Sequence, residues 1–335
     1  MTQALIIVAC LVVILAGVKA SASLLVPFLL AAFLTILLAR PFISMRDKGI
    51  PSVVGLVVMI LCLGGLGVLV MTIVKPSLDQ FNVNLPTYEA NLKVQLDAVW
   101  QWFEAKGIDA PKKLVVDYLD PQFAMTYVGL IAKELSGMLG QVLLIFIIVA
   151  FMLVEASGLY SKISSIPGIS EQALGAIDKT LQDVRSYVSL KAGMSLLTGA
   201  LVAIWLWFLG IDNALFMGML AFFLNFVPTI GSIIAAIPGV LLGFIIFGPP
   251  MAAVTAIGYV VINVGISNVI EPQFMSKNLD VSPLIVVVSL IFWGWLLGPV
   301  GMLLSIPLTI LVKVGLESSS ATKPIAVLLG APPKV

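Results

Sequence analysis

Three polar side chains stand four residues apart near the end of one apolar stretch: Asn263, Ser267 and Glu271, with Asn268 beside them. On an α-helix that spacing puts an amide, a hydroxyl and a carboxyl along one face. Polar residues inside a membrane helix face the bundle or a wet path, where a carboxyl can bind a cation or pass a proton. Pro272 follows Glu271 directly, so the carboxyl equally reads as the helix end at the interface. Upstream, VPTIG at 227–231 sets Pro228, Thr229 and Gly231 between Asn225 and Ser232. Downstream, GPVG at 298–301 sets Pro299 and Gly301 ahead of Ser305. Both lie in long apolar blocks, and each is followed by a further Ile-Pro, at Ile237–Pro238 and Ile306–Pro307. Lys277 and Asp280, in the polar stretch before the second block, are candidates for a gate formed by pairing.

The chemistry such residues can do is binding and translocation. The chain has no His, which removes imidazole metal sites, a His general base and His-ligated haem. It has no HExxH, GxSxG or GxxxxGK[ST] motif. No Asp lies deep in an apolar span, as an intramembrane aspartyl protease would need. Neither enzyme activity nor a cofactor nor a metal is expected. Cys10 and Cys62 sit inside apolar runs and read as small packed residues. The net charge of +1 offers no basic field for nucleic acid.

The elements that must hold these residues are membrane helices. Of 335 residues, 60% are hydrophobic and 10% charged, with a mean hydropathy of +1.15. Globular domains carry about 25% charge. The expected fold is an all-α polytopic membrane protein with about eight transmembrane segments, broken or re-entrant in the C-terminal half. Membrane lipid is therefore a partner.

Residues 1–75 hold the N-terminal spans. The block of 4–18 and 24–39, split at Lys19 and Ser21–Ser23, reads as two spans joined tightly or as one tilted helix with a long extension. Without a basic segment ahead of it, the first span is expected to be retained and not cleaved as a signal. The basic loop RPFISMRDKGIPS is placed in the cytoplasm. The next span runs over 53–74 and ends at Lys75–Pro76. Residues 76–136 read as a polar helical insert outside the cytoplasm. There Leu85, Tyr88, Leu92, Leu96, Val99 and Phe103 recur at helical spacing, and a second helix is expected at 112–119. Residues 137–158 return through the membrane. Residues 159–192 form a cytoplasmic amphipathic helix, with Leu174, Ile177, Leu181, Val184 and Val188 on its apolar face. Residues 193–316 are the C-terminal core, in which Asp212 is the expected cap of the helix starting near 214. Residues 317–335 are a cytoplasmic tail.

Two topologies fit the core. In one, 214–247 and 283–316 are over-long broken spans, and the count of eight favours it. In the other, each block is a re-entrant hairpin with its tip at VPTIG or GPVG. Both place the N- and C-termini in the cytoplasm and differ in the side occupied by EPQFMSKNLD.

NFVPTIGSIIAAIPG together with NVIEPQFMSKNLDVSPLIVVVSLIFWGWLLGPVGMLLSIPL resembles the bacterial autoinducer-2 exporter-like (AI-2E) transporter family, also called the PerM-like permeases. The likeness covers nearly the whole chain in layout and is sharp from about 210 to 310. It implies an inner-membrane protein of eight segments, export of a small polar signal of the autoinducer-2 type or sodium/proton antiport, and homo-oligomeric assembly. Pro228, Gly231 and Pro238 match the family's first patterned stretch. Asn268, Glu271, Pro272, Ser282 and Pro283 match its polar connection, and Gly294, Gly298, Gly301 and Pro307 its last block. The expected function is secondary transport of a small polar solute around Asn225–Ser232, Asn263–Glu271 and the 298–305 break. Its alternatives are an antiporter exchanging Na⁺ or Li⁺ for H⁺ through Glu271, and an oligomeric scaffold using 76–136.

Overall fold

The structure is a computed structural model and describes residues 2–107, 142–165, 171–228, 230–274, 282–317 and 322–330. The helix expected at 112–119, and Thr229, Lys277 and Asp280, lie outside those residues. Among the described residues every regular element is helical: α1 Thr2–Ala20, α2 Ala22–Asp47, α3 Ser52–Ala105, α4 Val142–Ser164, α5 Glu171–Phe208, α6 Ala214–Leu224, α7 Ile230–Phe247, α8 Pro249–Val264, a π-helical stretch Gly265–Ile270, α9 Glu271–Phe274, α10 Pro283–Leu303, α11 Ser305–Glu317 and α12 Lys323–Leu329. The protein is an all-α polytopic membrane protein. Against about eight expected segments, six helices among the described residues are long and apolar enough to cross a bilayer. They are α2, α3, the Asp178–Phe208 part of α5, α7, α8 with its extension to Ile270, and α10. Ala9–Ala20, Val142–Ala156 and Ala214–Leu224 are apolar but shorter. Such stretches reach only about 17–23 Å at 1.5 Å per residue, against a hydrocarbon core of about 30 Å.

The chain divides into two compact units. The first comprises Met1–Gly64, Gln141–Lys191 and Met275–Val335. Here α2 packs along α4, with Ala31, Ala39 and Phe42 of α2 meeting Ile145, Val149 and Leu153 of α4. Small residues spaced by four or eight let two membrane helices approach closely. Thr35 on the same face satisfies its hydroxyl on the Ala31 carbonyl oxygen at 2.7 Å. The outer faces stay greasy: Val53 and Phe151 are 72% and 75% exposed, as lipid-facing residues are. The amphipathic stretch expected before residue 193 is the first half of α5, which continues without a break into the apolar second half. Its Val184, Tyr187 and Val188 pack on Ile310 of α11 and on Phe33, Ile36 and Leu37 of α2. The apolar face is therefore spent inside the protein.

The second unit comprises Gly65–Gly140 and Ala192–Phe274. Helix α3 does not stop at Lys75–Pro76. It carries both Pro76 and Pro86 inside one 54-residue rod, about 80 Å long at 1.5 Å per residue. The periodicity predicted an amphipathic helix, and its apolar face is buried: Phe81, Tyr88 and Leu92 join Val202, Leu206, Phe216 and Met217 in one core. Asp212 is not the cap of α6. Asn213 takes that position, in a left-handed conformation and without a side-chain capping bond. Asp212 instead accepts a hydrogen bond from the Tyr88 hydroxyl at 2.7 Å. A carboxylate is a stronger draw for a buried phenol than for an amide that water can reach.

Both long apolar blocks fold back on themselves. In the first, α6 and α7 form a helical hairpin, with Asn225–Pro228 following α6. A Cβ on Gly231 would lie 1.8 Å from the Leu224 carbonyl oxygen, and Gly210, just ahead of α6, meets Phe247 at the far end of α7. In the second, α10 breaks at Gly298, whose φ of 70° and ψ of −155° are not helical. Past the break a Cβ on Gly301 would stand 2.0 Å from the Trp293 carbonyl oxygen. Trp293 Nε1 donates to Thr309 Oγ1 at 3.0 Å across the hairpin. Sixteen residues of straight helix would separate that pair by about 24 Å. In both blocks the turn after the Pro/Gly break brings the two arms into contact.

Candidate functional site

The first hairpin tip is held by an amide. Asn225 ends α6 and is buried, and its Nδ2 donates to Ser195 Oγ on α5 at 3.1 Å. Ser195 is fully buried and was not among the expected site residues. The available signal was a polar residue inside an apolar span, which needs a partner. Pro228 is half-buried in the turn, and Gly231 is buried where α7 leaves it.

Ser232 and Asn263 meet across a groove between α7 and α8. The groove holds about 690 Å³ and is lined mainly by aliphatic side chains such as Ile237, Val240 and Val260, with Ser232, Tyr259 and Asn263 as its polar members. That volume lies within the ~300–1,000 Å³ usual for small-molecule sites, as does a mostly apolar wall bearing a few polar groups. Asn263 Nδ2 donates to the Tyr259 carbonyl oxygen at 2.8 Å, while its Oδ1 is enclosed and has no partner among the described residues.

The face expected to carry Asn263, Ser267 and Glu271 together is not kept. Residues 265–270 are π-helical. A π turn closes its hydrogen bonds five residues apart, so it holds more residues per turn and residues four apart drift off one line. Ser267 and Asn268 are exposed, whereas Glu271 is buried at 9% exposure. The buried carboxylate and the half-buried amide are thus separated by the π turn. π turns inside helices frequently mark functional sites.

Pro299, Gly301 and Ser305 belong to the other unit. Pro299 is exposed, Gly301 is buried against Trp293, and Ser305 is buried with its hydroxyl unbonded. The sequence paired VPTIG with GPVG, but the closer backbone match of GPVG is elsewhere. Gly248, with φ 87° and ψ −173°, precedes Pro249 at the start of α8, just as Gly298 precedes Pro299. Positive φ with ψ near 180° is accessible only to glycine, and the proline ring disfavours a helical conformation at the residue before it. Each Gly-Pro pair therefore stops one helix and starts the next in a fixed direction. Among the described residues no group of three or more His, Cys, Asp or Glu could hold a metal ion.

The family model for AI-2E family transporters matches residues 8–321. The chain is 35% identical over 319 residues to the AI-2 transport protein TqsA of Escherichia coli strain K12, covering 95% of this chain and 93% of that protein. It is 35% identical over 329 residues to a putative transport protein of Haemophilus influenzae, covering 96% and 94%. It is 32% identical over 323 residues to the putative transport protein YhhT of Escherichia coli K12, covering 96% and 92%. These likenesses run the length of the hairpins and the groove as well as the N-terminal helices, and they are to transport proteins and not to enzymes. The chain belongs to the AI-2E family of transporters.

Proposed function

We propose that this protein is a secondary transporter of the bacterial inner membrane that moves a small polar solute of the autoinducer-2 type. The groove between α7 and α8 carries this reading. It is concave and mostly apolar, and it offers Ser232 and Asn263 where a solute hydroxyl or carbonyl would bind. Asn225, Pro228 and Gly231 stand at the hairpin tip next to it, Ser267 and Asn268 continue the path in the π turn and Glu271 just past it, and Thr229 is assigned to the same path. Both blocks are read as re-entrant hairpins, with both termini in the cytoplasm. The break at Pro299, Gly301 and Ser305 is a second re-entrant element in its own unit, serving as a hinge. Lys277 and Asp280 are assigned to the cytoplasmic mouth, and the assembly to a homo-oligomer. The domain limits follow the same scheme, with 76–136 outside the cytoplasm and 159–192 and 317–335 inside.

A second reading, exchange of Na⁺ or Li⁺ for H⁺, is favoured by the burial of Glu271 beside the π turn. In either case a carboxylate that is desolvated in one state and wet in another can couple ion movement to transport. The scaffold reading has less to offer, since the apolar face of α3 beyond residue 76 is already buried in its own unit. The test is flux through purified protein in proteoliposomes, with labelled autoinducer-2 as solute and internal pH followed on adding Na⁺ or Li⁺. Solute flux that Glu271→Gln abolishes supports transport coupled through this carboxyl. Cation-driven proton flux without solute flux transfers the assignment to antiport. Unchanged flux in Glu271→Gln removes Glu271 from the coupling, and a wild type with neither flux sinks both readings.

A further inference from the structure

Two hydroxyls are shut into the seam between α7 and α8 with no bonding partner among the described residues. Thr255 Oγ1 and Tyr259 OH are both enclosed and without a hydrogen-bond partner. Thr255 is 0% and Tyr259 2% exposed. The opposite helix is cut away to receive them. A Cβ on Gly243 would stand 2.9 Å from Thr255 Oγ1, and one on Gly239 would stand 2.8 Å from Tyr259 OH. Gly239 and Gly243 are successive positions on one face of α7, as Thr255 and Tyr259 are on α8, so the two hydroxyls face neighbouring notches of one seam.

Buried polar groups in folded proteins are almost always bonded, and where protein partners are lacking an ordered water supplies them. Asn263, the next residue on the same face of α8, has an enclosed, unbonded Oδ1 and opens on the groove together with Tyr259. Thr255, Tyr259 and Asn263 thus form a row of neutral polar groups leading inward from the groove. No charged side chain lines that groove, so the row suits a neutral ligand and not an ion. We propose that Thr255 and Tyr259 form an internal hydration site, in which bound water satisfies Thr255 Oγ1 and Tyr259 OH and is exchanged through the groove past Asn263. The site does not depend on which solute the protein carries.

The experiment is X-ray radiolytic labelling of the full chain in lipid vesicles, read by mass spectrometry. Hydroxyl radicals formed from bound water oxidise the side chains beside it. The expected result is oxidation of Tyr259 despite its burial, falling several-fold in Thr255→Val while the exposed Trp102 is labelled equally in both. A Tyr259 that stays unmodified while Trp102 is oxidised, or one whose labelling ignores Thr255→Val, overturns the proposal. A second arm guards against a Thr255 variant that fails to fold. Removing a hydroxyl that holds water lowers the melting temperature, whereas removing a dry, unbonded one raises it. Tyr259→Phe is expected to lower it, and an increase overturns the hydration site.

Discussion

Gly298 offers a clean test of whether the second hairpin is built by backbone conformation. A Cβ there would meet nothing within 4 Å, yet its φ of +70° is one that side chains rarely adopt. Gly298→Ala therefore adds strain without a clash. A non-glycine residue in such a region costs about 1–3 kcal/mol. Gly301→Ala is the converse: its helical backbone suits alanine, but the new methyl would lie 2.0 Å from the Trp293 carbonyl oxygen and 2.7 Å from Leu297 Cβ. Backbone must move by about 1 Å, and overpacking of this kind costs about 1–3 kcal/mol or more. Gly65→Ala is the control, since its Cβ meets nothing and its φ is helical. At about 2 °C per kcal/mol for a chain of this size, Gly298→Ala should lower the melting temperature by about 2–6 °C. Gly301→Ala should lower it at least as much, and Gly65→Ala should leave it level or slightly raised. The assay is thermal unfolding of the detergent-purified protein followed by tryptophan fluorescence, to which Trp293 at the hairpin contributes. Equal melting temperatures for Gly298→Ala and Gly65→Ala would refute a hairpin that depends on a left-handed residue at 298.

Asn225→Ala should cost about 1–3 kcal/mol, because the buried Ser195 hydroxyl loses its donor. Ser195→Ala in the same chain should return part of that loss in a double-mutant cycle, and strictly additive losses would show that the two side chains do not interact. Lys277→Cys, in a cysteine-free background, should react with an impermeant maleimide only from the cytoplasmic side if 283–316 is re-entrant from that side. Reaction from the opposite side would restore the two long broken spans.

Much of the protein was legible in the residues alone, because the signals involved are local. A composition this apolar leaves the bilayer as the only solvent for the outer faces of α2, α4 and α10. The 3–4 spacing of Leu85, Tyr88, Leu92 and Leu96 fixes one face of a helix wherever that helix sits. Pro and Gly at VPTIG and GPVG mark interruption as surely, since a proline removes a donor and clashes with the preceding turn. The same local logic misjudged Lys75–Pro76, where a helix continues through proline, and Asn263–Ser267–Glu271, where a π turn breaks a register that assumed 3.6 residues per turn.

A break in a helix says where the chain can bend and not which way it goes. Straight continuation and reversal use the same Pro and Gly, so the choice rests on contacts that helical spacing does not specify: Gly231 with Leu224 across the turn, and Trp293 with Thr309 and Asn225 with Ser195 further apart along the chain. Asp212 illustrates the same limit, since its position predicts a cap while its partner, Tyr88, lies 124 residues away. Composition and short-range pattern were enough for the membrane class and the positions of the interruptions, while the transport family came from the likeness of the stretch from about 210 to 310 to AI-2E transporters. The tertiary structure alone decided that both interrupted blocks reverse, that Ser232 and Asn263 share one groove, and that Glu271 is buried while Ser267 is not, because each depends on packing that no local pattern encodes.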